Sequence, residues 1–213
     1  MFDTLNFDNI KESWINIFDP YYDLLMEIDK TITGSDLCPK ADDIMRIFEV
    51  LELSDIKVVI LGQDPYYNGQ ADGFAFSTRD SKTPKSLMTV FKEIKNNYPL
   101  SKFTTNDLSC WVNQGVFLFN GLLTTSNGLP KAHLIWNEFT SHILDEIQKK
   151  NDIVYMLWGK DAQKKITCTN GLILTAPHPA AYASTKGFSG CGHFKKCNDF
   201  LESKKIKPID WST

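Results

Sequence analysis

Residues 56–76, IKVVILGQDPYYNGQADGFAF, bring an amide, a carboxylate and two phenols to the end of an apolar run. Val58, Val59, Ile60 and Leu61 have no polar alternation, which suits a strand buried on both faces, and the run stops at Gly62. Gln63, Asp64, Pro65, Tyr66 and Tyr67 follow at once, with Asn68, Gly69 and Gly73 supplying turn chemistry. Three more residues of chemical interest lie near the ends of apolar stretches. Asn120 closes the run Val116–Phe119, His178 sits between Pro177 and Pro179 just after Leu172–Ala176, and Phe76 closes the short patch 74–76. Each has a plain alternative: Asp64 and Asn120 as turn residues, His178 as a rigid corner, Phe76 as core. Together an acid, an amide, an imidazole and an aromatic are the group types that hold charge, exchange hydrogen bonds and stack on a bound ligand.

These residues converge only if the apolar runs are parallel neighbours. The pattern predicts that. Four runs (58–61, 116–119, 153–158, 172–176) alternate with helical segments, the signature of βαβ units, a parallel sheet and helices on both sides. The carboxyl ends of such strands share one edge, where open α/β sheets bind ligands, so Asp64, Asn120, Gly159 and His178 are expected there. Helices are predicted over 10–18 and 21–29, broken at Pro20, and from Ala41 on the spacing of Ile44, Ile47, Phe48 and Leu51. Others are predicted on Leu87, Val90, Phe91 and Ile94; on Phe139, Ile143 and Ile147; over 161–165; and on Phe194, Cys197, Asn198 and Leu201. No repeat or linker divides the chain, so residues 1–213 are expected to form one domain.

The 213 residues are 42% hydrophobic and 23% charged, with no apolar run of bilayer length. The start, MFDTLNFDNIKES, is acidic and lacks the apolar core of a secretory leader, so an intracellular protein is expected. Five cysteines without a C-x-x-C pair point to reduced thiols. Cys191, His193 and Cys197 lie close together, but a structural zinc site usually needs a second spaced ligand pair, so no metal is expected. A net charge of −3 gives no overall attraction to nucleic acid. The lysines of the C-terminal third, from Lys160 to Lys207, form either a surface for a polyanion or ordinary solvated faces.

The ordered motifs resemble those of the family 1 uracil-DNA glycosylases. Gly62, Gln63, Asp64, Pro65 and Tyr66 match the water-activating motif G-Q-D-P-Y-H, with Tyr67 in place of its histidine. Gly73–Ser77 resembles the uracil-stacking segment, and Gln114–Val116 with Phe119, Asn120, Leu123 and Thr124 the uracil-reading one. Gly159 with Ala162–Lys165 resembles the phosphate-contacting loop and its helix, and His178–Pro179 the start of the minor-groove loop. The closing segment is echoed from Gly187 to Trp211. Departures lie mainly in DNA-facing loops. The proline-rich loop is reduced to Thr83, Pro84, Lys85 and Ser86, Lys160 replaces a serine, and H-P-S-P-L-S becomes His178, Pro179, Ala180, Ala181, Tyr182 and Ala183. The segment between Thr125 and Trp136 is also shortened.

The resemblance implies a three-layer α/β/α sandwich with a central four-stranded parallel sheet. It implies a monofunctional glycosylase that flips uracil from single- or double-stranded DNA, hydrolyses its N-glycosidic bond and leaves an abasic site, without metal or organic cofactor. Asp64 is expected to stabilise positive charge on the sugar and orient water, and His178 to donate to the departing uracil O2. Gln63, Tyr66, Phe76 and Asn120 are the expected uracil-binding residues: Asn120 pairs with O4 and N3–H, Phe76 stacks, and Tyr66 excludes the thymine methyl. Pro84, Ser86, Lys160, Pro179, Ala180, Tyr182 and Lys186 are expected to face DNA, with Tyr182 as the wedge entering the base stack. A monomer is expected, with any replication or inhibitor protein partner unidentified, in the cytoplasm of a bacterium or the nucleus or viral factory of a eukaryotic or viral system. Two alternatives are a relative that holds DNA without cutting and a different α/β hydrolase. The second lacks a Gly-rich phosphate loop, a G-x-S-x-G elbow or a dinucleotide fingerprint.

Overall fold

The computed structural model describes residues 2–167, 169–181 and 187–213. In chain order the helices are α1 (Glu12–Phe18), α2 (Tyr22–Thr31), α3 (Arg46–Val50), α4 (Lys85–Asn97), α5 (Ser109–Val112), α6 (Trp136–Gln148), α7 (Lys160–Lys165) and α8 (His193–Ser203). The strands are β1 (Leu37–Cys38), β2 (Val58–Gly62), β3 (Val116–Asn120), β4 (Thr125–Ser126), β5 (Val154–Trp158) and β6 (Leu172–Ala176). Four strands form a parallel sheet in the order β3-β2-β5-β6. Strands β2, β3 and β5 are buried at every position, as their unbroken apolar sequence requires.

Strand alternation sends successive side chains to opposite helical layers. On one face Phe117 and Phe119 of β3 meet Trp14, Phe18, Phe48 and Phe139 from α1, α3 and α6 in a chain of ring contacts. Tyr155 of β5 points the same way and donates its hydroxyl to Ile147 O of α6. On the other face Trp158 packs on Phe188 and Phe194, and Phe194 on Trp211, which meets Trp111 of α5. Asn120 and Gly62 share the Trp158 side of the sheet by this alternation, and that side is where the candidate pocket opens.

One helical expectation holds and one is modified. Pro20 lies between two helices, α1 and α2, inside a 3₁₀ turn (Asp19–Tyr21) that links them, where the missing N–H of proline costs nothing in a first helical turn. The amphipathic stretch from Ala41 splits into a 3₁₀ turn (Ala41–Asp43) and the short α3, with Ile44, Ile47, Phe48 and Leu51 buried as the spacing requires. The small antiparallel ribbon of β1 and β4 has no counterpart in the sequence pattern, since two-residue strands carry no periodicity. Among the described residues no helix is long and apolar enough to cross a membrane.

Candidate active site

The register sets the pocket. Gly62 lies opposite Asn120, and Gly121 N–H and Leu122 N–H donate to Gly62 O and Gln63 O, extending the β2–β3 pairing beyond the strand ends. A Cβ on Gly62 would lie 2.2 Å from Asn120 Oδ1, so only glycine lets that amide occupy its place beside the strand. Asn120 is 6% exposed. It is held at the end of a buried strand with its side chain on the pocket side, where a rigid amide can test a donor–acceptor pattern.

Phe76 closes the pocket from the segment after β2. Its φ of 65° lies in the left-handed region, which costs a bulky residue of order 1–3 kcal/mol and persists only when surroundings impose it. They do. Tyr66 Oη donates to Phe76 O at 3.1 Å and therefore accepts from Ser86 Oγ at 2.9 Å, having one proton to give. Upstream, Asp72 accepts from Phe74 N–H and Ser77 Oγ, while Arg46 pairs with Asp72 and lies 4.0 Å from the Phe74 ring centroid. The Phe76 ring is then packed edge-on against Trp158 at 5.3 Å and faces His178 at 5.8 Å between centroids.

Asp64 and His178 each favour the other's charged form, against burial. Burial raises the Asp64 carboxyl above its ordinary value, and the Lys131 backbone N–H, the Lys131 ammonium and His178 pull it back. Burial lowers His178, with Asp64 pulling the other way, so the imidazole is neutral at pH 7. Ala180 N–H donates to His178 Nδ1 at 3.1 Å, which assigns the proton of the neutral ring to Nε2. Gly159 has φ 96° and no Cβ, allowing the His178 side chain to pass close to the end of β5.

Asp64, Tyr66, Phe76, Asn120 and His178 thus line one cavity of about 530 Å³, together with Pro84, Ser86 and Ala180. Gln63 lines it too, but its amide, oriented to satisfy both ends, accepts from Lys131 Nζ at 2.8 Å and donates to Asp161 Oδ2 at 3.2 Å. Of the residues expected to face DNA, Lys160 and Ala180 are exposed and Pro179 is buried. Ser86 is 5% exposed, and its hydroxyl proton is directed at Tyr66, so a phosphate contact would require that bond to be exchanged. Tyr182 and Lys186 lie outside the described residues. Of the three residues weighed as a metal cluster, His193 Nδ1 accepts from Trp158 Nε1, Cys197 is core, and Cys191 Sγ faces Glu93. Sequence reasoning missed Lys131, which sits at φ 55° in the shortened segment and touches both Asp64 and Asp161.

A parallel β3-β2-β5-β6 sheet with this pocket on its carboxyl edge defines a class, and the family model of the uracil DNA glycosylase superfamily matches residues 48–202. The chain belongs to that superfamily. It is 40% identical over 188 residues to a uracil-DNA glycosylase of Haemophilus influenzae, covering 84% of this chain and 86% of that one. A uracil-DNA glycosylase of Aliarcobacter butzleri is 40% identical over 202 residues, covering 90% and 94%. The crystal structure of mimivirus uracil-DNA glycosylase superposes with a TM-score of 0.88 at 25% identity, over 95% of this chain and 87% of that chain.

Proposed function

We infer that this chain removes uracil from DNA by hydrolysing its N-glycosidic bond, leaving free uracil and an abasic site. The observation that carries this reading is the convergence of Asp64, Phe76, Asn120 and His178 on one cavity at the sheet edge. Such an arrangement suits a base that has left the duplex stack, with Phe76 as the stacking face and the Asn120 amide reading O4 and N3–H. As the bond lengthens, positive charge grows on the sugar and negative charge on uracil. An ionised Asp64 stabilises the first and orients water, and the Nε2–H of neutral His178 stabilises the second at O2. The test is release of free uracil from a uracil-containing oligonucleotide, single-stranded and duplex. A protein that binds such DNA without releasing uracil would instead fit the non-cutting alternative.

Base choice is tested by two variants. In Asn120→Asp a protonated carboxyl group matches the reversed donor–acceptor edge of cytosine, and in Tyr66→Ala the lost phenol opens room for the thymine methyl. Each variant is expected to acquire weak activity on its new base in duplex DNA while losing activity on uracil. Tyr66→Ala is also expected to weaken uracil excision by releasing the Phe76 carbonyl. Unchanged selectivity in both, with residual uracil activity measurable, overturns this account of the pocket.

A further inference from the structure

The segment between β4 and α6 reaches back to the water-orienting carboxylate. Lys131 N–H donates to Asp64 Oδ2 at 2.9 Å, and Lys131 Nζ pairs with Asp161 Oδ2 at 2.9 Å, at the start of α7. The Gln63 amide bridges the same ammonium and the same carboxylate. One residue therefore ties together the chain after β2, the chain after β4 and the chain after β5. Among the described residues Asp64 Oδ1 accepts no hydrogen bond, so the Lys131 bond fixes one oxygen and leaves the other for water. Lys131 makes this bond with its backbone in the left-handed region, at φ 55°. A second cavity of about 370 Å³ lies beside this network, lined by Gln63, Lys131, Asp161, Lys164 and Lys165. Its Lys165 ammonium is already committed to Asn137 Oδ1 and Ser141 Oγ.

We propose that Lys131 is a positioning residue for the glycosylase reaction: its backbone N–H fixes the Asp64 carboxylate, and its ammonium, anchored by Asp161 and Gln63, sets positive charge beside it. This rests on the reaction proposed above. The charged groups facing Asp64 are Lys131, His178 and Asp161, the first two favouring the anion and the third opposing it. Lys131 and Asp161 are each about half exposed, so the effect is modest and screened by salt.

The test pairs two variants with opposite expected signs. Lys131→Met keeps the backbone N–H and the length of the side chain but removes the charge. The acid limb of its single-turnover pH profile is expected to move to higher pH by about half a unit, roughly a threefold loss of rate well below the midpoint. Asp161→Asn removes the opposing anion, and its limb is expected to move to lower pH. Both shifts shrink in high salt, and the melting temperature stays near wild type. Carboxylate ¹³C NMR of the DNA-free protein, with Asp64 assigned through Asp64→Asn, must report the same two directions. That readout does not depend on uracil release, so it measures the influence of Lys131 on Asp64 even if the proposed reaction fails. An unmoved Asp64 titration in Lys131→Met overturns the proposal. Weaker DNA binding with an unmoved acid limb overturns it as well, and makes Lys131 a phosphate contact.

Discussion

Asp64→Asn is expected to lower the single-turnover rate of uracil release by about 10²–10³-fold, the range seen when one preorganised electrostatic group is removed from a reacting centre. The amide has the shape of the carboxylate, and its oxygen still accepts from Lys131 N–H, so the fold and DNA binding are retained. What is lost is the negative charge that the proposed reaction sets beside the sugar. The wild-type pH profile carries the same assignment. In the proposed reaction Asp64 must be ionised, and burial holds its pKa above the ordinary 3.8, so activity is expected to fall as pH drops through that raised value. His178 must be neutral, and its lowered pKa keeps it so down to acid pH, so both groups fail on the acid side. Rates of Asp64→Asn within a few-fold of wild type, or a neutral-to-acid profile without this limb, would remove Asp64 from the mechanism.

The largest loss of stability is expected from Glu93→Ala. Glu93 is 1% exposed on α4, an unusual place for a carboxylate, and accepts hydrogen bonds from Gly190 N–H, Gly192 N–H and the amides of Asn96 and Asn97. Truncation leaves the Gly190 and Gly192 N–H groups, part-buried at these bonds, without their acceptor, and a loss of about 2 kcal/mol is expected in denaturant melts. Burial alone would raise the Glu93 pKa, but the Gly190 and Gly192 donors and the two asparagines outweigh it and hold it below the ordinary 4.5. A depressed folded value means stabilisation that is complete above the unfolded pKa and is lost as pH falls through the folded one. Below about pH 4.5 the wild type should therefore lose stability that Glu93→Gln does not have to lose. Glu93 also ties down the chain entering α8, downstream of the His178 loop, so the folded fraction of Glu93→Ala is expected to cleave more slowly. Wild-type stability in Glu93→Ala would mean that these donors find other acceptors.

Those two residues differ in how legible they were. Asp64 stands after a run of β-branched residues that can only be a buried strand, and the four strands fell within a residue or so of their expected limits for that reason. Parallel order then brings Asn120 and His178 to the same edge without any contact being known. Glu93 sits beside the buried stripe of Leu87, Val90 and Ile94, where its charge reads as the solvated edge of an amphipathic helix. Its two backbone donors are 97 and 99 positions away, and no local pattern reports them. Lys131 is hidden for a different reason. It acts through a backbone N–H that every residue except proline has, and the only local signal is the Asn127–Gly128 turn and Pro130 just before it. Ser86 carries the expected motif position, but its hydroxyl orientation depends on Tyr66, which the sequence places twenty residues earlier.

Phe76 holds a left-handed backbone that glycine or asparagine would adopt at lower cost. The conformational strain is present in the folded protein before any DNA arrives, and it is offset by the ring's packing against Trp158 and His178. Asn at position 76 would relieve the strain but forfeit both that packing and the aromatic face that the proposed uracil stacking uses, so a heat-sorted library that took it would come out catalytically poorer. Engineering for robustness would therefore have to select on turnover at the same time, or leave position 76 out of the randomised set.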